Sequence, residues 1–98
     1  MKVYLLINDE GKYKIGYTSR KTKQRISELQ TGSSSTMRVF KEYESNNAKQ
    51  IETIMHRFFK SKRISGEWFD LTFEEAFNFD KKCKQIDDNL IYLKENKI

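Results

Sequence analysis

The chain contains no proline, and cysteine and histidine each occur once among its 98 residues, as Cys83 and His56. One cysteine cannot form an intramolecular disulfide, which is typical of proteins in a reducing, intracellular compartment such as the cytoplasm. So few cysteine and histidine residues also exclude the four-ligand sets of structural zinc sites. No apolar run approaches the roughly 18 residues of a membrane span, and no signal peptide opens the chain. We therefore expect an intracellular domain without a membrane partner.

Negative charge is scarce in the first two thirds of the chain. Residues 1–66 carry 14 Lys and Arg against 6 Asp and Glu, a net charge of +8, whereas residues 67–98 carry 5 against 8, a net charge of −3. A basic field with interleaved tyrosine and phenylalanine favours a polyanionic partner such as nucleic acid. Charge alone is also consistent with a solvated surface that only keeps the protein soluble.

Two runs of β-forming residues, 3–7 and 13–18, flank a short turn that contains glycine. This arrangement predicts a β-hairpin. Alternation along the strands places Tyr4 and Lys14 on the face opposite to the apolar residues of the core. Gly16 lies on the same face, where the absence of a side chain would let a ligand approach the backbone.

The length and composition fit one small domain. With 37% hydrophobic and 34% charged residues, the chain can build a modest core. We predict an α+β domain in which a small, mainly antiparallel three-stranded sheet is flanked by helices and followed by a C-terminal helix. After the hairpin we predict a helix at residues 21–30, a strand at 37–43 with Met37, Val39 and Tyr43 on one face, and a helix opening at 46–47. The aromatic segment at 66–71 is either a strand that closes the sheet or a segment that lies over it. A last helix follows a capping box formed by Thr72 and Glu75.

Six residues of the last helix recur at alternating spacings of three and four, which is the pattern of a heptad seam. The seam predicts either a helix packed on its own domain or a homodimer formed through residues 72–95. We therefore divide the chain, within one domain overall, into a core at residues 1–71 and a C-terminal helix at 72–98. The six residues are Ala76, Phe79, Cys83, Ile86, Leu90 and Leu93.

Several short motifs follow one another in the first 70 residues. They are Val3-Tyr4-Leu5, the run from Tyr13 to Thr18, Arg25, Glu52 with His56, and Gly66-Glu67-Trp68-Phe69. In this order and spacing they resemble the GIY-YIG nuclease superfamily, and most closely its short branch from phages and large viruses. Lys14 stands where the superfamily usually has a tyrosine. The resemblance covers residues 3–70 and implies a metal-dependent endonuclease that hydrolyses phosphodiester bonds in DNA.

The resemblance also implies a role for each matching residue. Tyr4 positions or deprotonates the attacking water; deprotonation would require either a cationic neighbour, for which Lys14 is well placed, or the metal, because a tyrosine ordinarily titrates near pH ~10. Arg25 offers a bidentate fork to the scissile phosphate. Glu52 holds one divalent cation, Mg²⁺ with Mn²⁺ able to substitute. His56 assists.

The DNA-binding contacts are predicted to include the backbone at Gly16 and the basic side chains of Lys21 and Lys23. Two other interpretations are open: a catalytically inactive nucleic-acid-binding module with the same fold, and an interaction protein that uses its C-terminal helix. For His56, support of the metal site, phosphate contact and structural packing are equally open. Glu67 and Trp68 are interpreted as structural residues, with Trp68 as a core anchor.

Overall fold

A five-stranded antiparallel sheet forms the centre of the computed structural model, which describes residues 1–19, 21–31 and 36–96. The elements in chain order are β1 (Lys2–Asn8), β2 (Tyr13–Thr18), α1 (Thr22–Thr31), β3 (Met37–Glu44), α2 (Ala48–Phe58), a 3₁₀ turn (Lys60–Lys62), β4 (Arg63–Ser65), β5 (Trp68–Phe69), α3 (Phe73–Phe77) and α4 (Phe79–Glu95). The predicted α+β class with a C-terminal helix is confirmed.

The strand order is β3-β1-β2-β5-β4. The three strands predicted from the sequence lie side by side, and two short strands extend the sheet beyond them. These arise because the segment around Gly66 folds back as a hairpin, so that β5 pairs with β2 and β4 pairs with β5. The left-handed backbone of Gly66, with φ of 53°, suits the tight turn between β4 and β5.

Both faces of the sheet are covered. The helices α2, α3 and α4 lie on one face over the larger core, whereas α1 lies on the other face over a smaller core. The alternation predicted for the hairpin is confirmed, because Val3 and Ile15 point into the larger core and Tyr4 points into the smaller one. The smaller core consists of Tyr4, Leu6 and Met37, with Ile26, Leu29 and Trp68 packed against them.

The prediction that Met37, Val39 and Tyr43 share one face of β3 is wrong. Met37 belongs to the smaller core, whereas Tyr43 packs against the larger core on the opposite face. The cause is a β-bulge, since the register between β1 and β3 shifts between Leu5 and Leu6. An extra residue in one strand reverses the direction of every later side chain.

The last helix is interrupted at Asn78, which separates α3 from α4. The predicted capping box is confirmed: Thr72 Oγ1 accepts from the Glu75 amide at 3.1 Å, and a Glu75 carboxylate oxygen accepts from the Thr72 amide at 2.8 Å. The heptad residues divide into two groups. Ala76, Phe79, Cys83 and Ile86 are buried in the domain's own core, whereas Leu93 is 64% exposed.

Asp87 anchors α4 to the end of β3 and the start of α2. Its buried carboxylate accepts hydrogen bonds from Tyr43 Oη, Ser45 Oγ and Asn47 Nδ2, each at 2.9 Å. Burial acts to raise the pKa of Asp87, but these hydrogen bonds outweigh it and hold the pKa below its ordinary value. Within the part of the chain that the structure describes, no helix has the length and apolar character needed to cross a bilayer.

Candidate active site

A polar cleft of about 270 Å³ opens where one end of the central hairpin meets α1, α2 and the turn between β4 and β5. Each of these elements contributes to its wall. The strand β1 supplies Tyr4, α1 supplies Arg25, α2 supplies Glu52 and the turn supplies Glu67. Among the residues that the structure describes, the cleft is lined by Tyr4, Tyr17, Thr18, Ser19, Arg25, Glu52 and Glu67.

Tyr4 lies at the base of the cleft, and its ring covers Gly16 on the neighbouring strand. The two residues are direct partners in the pairing of β1 with β2. A Cβ atom at position 16 would lie 2.4 Å from Tyr4 Oη and 2.5 Å from Tyr4 Cζ, which is far inside van der Waals contact. The bare position at Gly16 is therefore filled by Tyr4, and the predicted contact between Gly16 and a phosphate stays a prediction.

Arg25 is the cation that contacts Tyr4. Its guanidinium donates a hydrogen bond to the Tyr4 hydroxyl and also lies 3.5 Å from a carboxylate oxygen of Glu28. Burial nevertheless dominates and raises the pKa of Tyr4, while the hydrogen bond from Arg25 acts in the opposite direction and the charge of Glu67 adds to the rise. Tyr4 therefore keeps its proton at neutral pH.

Two carboxylates and the only histidine form a cluster beside Tyr4. One ligand atom from each of Glu52, His56 and Glu67 lies within 4.8 Å of the other two. His56 Nε2 is 2.9 Å from the carbonyl oxygen of Ile15, which can only accept, so Nε2 carries the proton. Nδ1 is then the nitrogen that has a lone pair for a cation. The edge of the His56 ring also packs against Phe69, with centroids 4.9 Å apart.

Burial and a neighbouring carboxylate both disfavour the ionised form of Glu52. Burial is the largest influence and raises the pKa of Glu52; a protonated His56 opposes this effect, and the charge of Glu67 adds to it. A cation held between close carboxylates favours their ionised forms. The two carboxylates are donors that suit Mg²⁺ or Mn²⁺, whereas the imidazole adds a nitrogen donor that Mg²⁺ does not prefer.

Lys14 contacts the cluster through Glu67 rather than through Tyr4. Its Nζ is 3.0 Å from a carboxylate oxygen of Glu67 and 5.6 Å from the centroid of the Trp68 ring. The same segment is fixed to the sheet because the Ile15 amide donates to the Glu67 carbonyl at 3.0 Å. Arg25 thus occupies the place beside Tyr4 that the sequence analysis expected for Lys14.

The structure brings three of the predicted site residues, Tyr4, Arg25 and Glu52, into one cleft, and His56 lies next to it. Lys21 and Lys23 lie outside the cleft, in a separate groove between α1 and β3. Among the residues that the sequence analysis did not assign to the site, four line the cleft. They are Tyr17, Thr18, Ser19 and Glu67.

Glu67 is the most consequential of these four, because the sequence alone predicts a structural role for it, whereas the structure places it in the wall of the cleft. Its sequence signal was present, since it follows Gly66 directly in a motif that resembles a nuclease family. The pairing of the two-residue strand β5 with β2 is what carries Glu67 to Lys14 and Glu52. The local pattern of residues 66–71 allows a strand that closes the sheet, but it does not specify the pairing with β2.

Comparison with known proteins assigns most of the chain to one domain family. The sequence profile of the T5orf172 domain matches residues 1–84 of the chain. No curated protein and no solved structure matches it significantly. The matched region includes the described residues that line the cleft. It also includes the buried residues of both cores as far as Cys83, and it ends in the first part of α4. The chain therefore belongs to the T5orf172 domain family, a phage-associated family related to nuclease-like folds.

Proposed function

We propose that this protein is a metal-dependent endonuclease of GIY-YIG type that hydrolyses phosphodiester bonds in DNA. The observation that carries the proposal is the convergence of a tyrosine, an arginine and a carboxylate cluster in one polar cleft. Tyr4, Arg25 and Glu52 come from β1, α1 and α2, and all three line the same cleft of about 270 Å³. Phosphodiester hydrolysis needs a positioned water, neutralisation of the phosphate charge and a site for a metal ion or equivalent charge, and groups of these three kinds can supply them.

Arg25 is the group that binds the scissile phosphate. A guanidinium has five N–H donors, and the contacts of Arg25 with Tyr4 and Glu28 use only part of this capacity. The remaining donors can bind two phosphate oxygens and neutralise the charge that develops on them. The hydrogen bond to Tyr4 also fixes the guanidinium in the cleft.

Tyr4 orients the attacking water. Because burial raises its pKa, the phenol keeps its proton near neutral pH, and its oxygen already accepts from Arg25. Its hydroxyl can donate to or accept from one water molecule beside the phosphate. This arrangement favours positioning of the water over its deprotonation by a phenolate.

A divalent cation would be held by Glu52 and Glu67, with His56 Nδ1 as a third ligand. When bound, such a cation supplies Lewis-acid stabilisation of the phosphate and acidifies a water molecule. Contacts within the protein orient these ligands in the absence of the cation. The carbonyl of Ile15 fixes the tautomer of His56, and burial of Glu52 in the wall of the cleft limits the directions in which its carboxylate can point.

The test is nicking of supercoiled plasmid in Mg²⁺ or Mn²⁺ by the wild-type protein and by Glu52→Gln. We expect nicking by the wild type and its loss in Glu52→Gln, since the substitution removes a charged ligand and keeps the shape. Glu95→Gln, at the exposed end of α4, is the matched control and should remain active. Nicking that survives in Glu52→Gln would contradict the proposed site.

A second candidate function is nucleic-acid binding without cleavage. The observation that favours it is the ion pair between Lys14 and Glu67. The ammonium of Lys14 already neutralises the Glu67 carboxylate, which would otherwise be a ligand for a metal. The same plasmid experiment separates the two functions. Binding without nicking in either metal, at protein concentrations that saturate the plasmid, would favour the binding module.

A further inference from the structure

We propose that the groove between α1 and β3 binds the sugar-phosphate backbone on one side of the scissile phosphate. The identity of the ligand as a nucleic-acid strand rests on the proposed function, whereas the location of the contact does not. The groove has a volume of about 700 Å³, larger than the cleft itself. Its charged and apolar walls include Lys2, Lys21, Lys23, Lys41, Ile26 and Val39.

The charge of the groove fits a polyanion. Among the described residues of its lining, four are lysines and Glu42 alone is acidic. Lys2 is 3.2 Å from a Glu42 carboxylate oxygen and Lys41 is 3.8 Å from an Asp80 carboxylate oxygen, so two of the lysines are partly neutralised.

Lys21 and Lys23 are the other two lysines of the groove. Neither forms an ion pair with any residue that the structure describes, and both are exposed. They stand at the start of α1, whose first turn contains no acidic residue, so the positive end of the helix dipole adds to their field. The groove therefore has two free ammonium groups ready for phosphate.

The groove continues into the cleft. Lys2 in the groove and Thr18 in the cleft are direct partners in the pairing of β1 with β2. Residues opposite each other in antiparallel strands lie about 4.5–5.5 Å apart at Cα. On α1, the consecutive residues Arg25 and Ile26 line the cleft and the groove respectively. A nucleic-acid strand whose phosphate contacts Arg25 would therefore continue along the lysines of the groove.

The floor of the groove suits the less polar parts of a nucleotide. Val39 on the edge strand β3 is 40% exposed, and Ile26 faces it from α1. Thr22, which also lines the groove, has a hydroxyl that is buried without a hydrogen-bond partner among the described residues. Sugar and base surfaces can cover the apolar side chains, and a phosphate oxygen or an ordered water can satisfy the hydroxyl.

The first test measures DNA binding in EDTA, where cleavage is not needed. The double variant Lys21→Gln/Lys23→Gln is compared with Lys60→Gln/Lys81→Gln, which removes the same charge from positions outside both the groove and the cleft. For a short duplex, the plot of log K against log salt should lose a slope of about 0.9 for each phosphate contact removed, or about 1.8 in the groove variant. The control variant should keep the wild-type slope. Equal slopes in both variants would overturn the proposal.

The second test locates the strand. Because Cys83 is fully buried, Val39→Cys gives one accessible thiol on the floor of the groove, to which a photoactivatable cross-linker is attached. Gln85→Cys, on the exposed face of α4, is the matched control. Cross-linking of a labelled oligonucleotide through position 39 and not through position 85 is expected. Equal or no cross-linking at position 39 would contradict the groove, whereas absence of nicking by the wild type would contradict only the proposed function.

Discussion

The ring of Tyr4 occupies the space that any side chain at Gly16 would need. A Cβ atom there would fall 2.4 Å from the Tyr4 hydroxyl oxygen, and the neighbouring atoms belong to a ring that is itself buried. Gly16→Ala should therefore push the phenol away from Arg25. We expect a loss of about 1–3 kcal/mol in the free energy of unfolding, measured by denaturant titration, and a larger fractional loss of nicking than Tyr4→Phe causes.

Gly11→Ala is the matched control for this effect. Gly11 has φ of 74° in the hairpin turn and open space around it, so alanine there strains the backbone without touching the cleft. It should cost about 1 kcal/mol and leave nicking at the wild-type rate under conditions where the protein is folded. A Gly16→Ala protein with normal activity would show that the Tyr4–Gly16 contact does not set the geometry of the site.

The ion pair of Lys14 with Glu67 predicts two changes of opposite sign in cation affinity. Glu67→Gln should weaken Mn²⁺ binding by at least the roughly tenfold to hundredfold loss typical of groups that only support a metal ligand, because it removes a charged ligand of the cation. Lys14→Gln should strengthen it, because the competing ammonium is removed. Titration of Mn²⁺ by calorimetry or electron paramagnetic resonance measures both.

Lys12→Gln is the control for the lysine. Lys12 Nζ also lies 3.0 Å from a carboxylate oxygen, that of Asp70, but this pair is more exposed and lies outside the cleft. Its loss should leave Mn²⁺ affinity unchanged. Weaker binding in Lys14→Gln would mean that Lys14 supports the site and does not compete for it.

Asp87 predicts a specific pH dependence of stability. Its pKa is lower in the folded protein than the ordinary value near ~3.9, so its contribution to stability is present above that value and is lost as the pH falls through the folded-state pKa. Asp87→Asn should lower the free energy of unfolding at pH 7 by about 1.5–3 kcal/mol. The difference from wild type should shrink in acid.

Asp88→Asn is the matched control, because Asp88 is exposed and its ion pair is with Lys84, at 2.9 Å, four residues earlier on the helix. Denaturant titrations between pH 7 and pH 3 compare the three proteins. A constant difference between Asp87→Asn and wild type across this range would show that hydrogen bonding by the neutral side chain explains the whole effect.

The two ends of the heptad seam should respond differently to truncation of a side chain. Ile86 is buried in the domain core, whereas Leu93 is 64% exposed. Ile86→Ala should cost about 2–5 kcal/mol, and Leu93→Ala less than about 0.5 kcal/mol, both by denaturant titration. A cost at Leu93 that grows with protein concentration would instead support the homodimer predicted through residues 72–95.

Much of the fold follows from patterns that are local in the sequence. The alternation of the first hairpin assigns Tyr4 and Ile15 to opposite faces, and the helical spacing in α2 places Glu52 and His56 on one stripe. These features depend on residues within a few positions of one another, where the periodicity of strand or helix decides the direction of each side chain.

Long-range pairings were beyond the sequence analysis. The bulge in β3 depends on how β1 and β3 align, and it separates Met37 from Tyr43 although both lie in one strand. Glu67 reaches the site only because β5 adds to β2, and a strand of two residues has too few side chains to show a pattern. The tertiary contacts, rather than the local sequence, decide both outcomes.

The unequal sizes of the two cores determine which part of the protein unfolds locally first. The larger core contains 14 buried residues and the smaller contains three, so α1 is held by far less buried surface than α2. Elements with few buried apolar contacts exchange with locally unfolded forms at a lower free energy than the domain as a whole. When α1 detaches, Arg25 leaves with it, while Glu52 and His56 stay on α2. The part of the cleft that carries Arg25 can thus unfold and refold reversibly by itself. The part that carries Glu52 and His56 stays folded during this local unfolding.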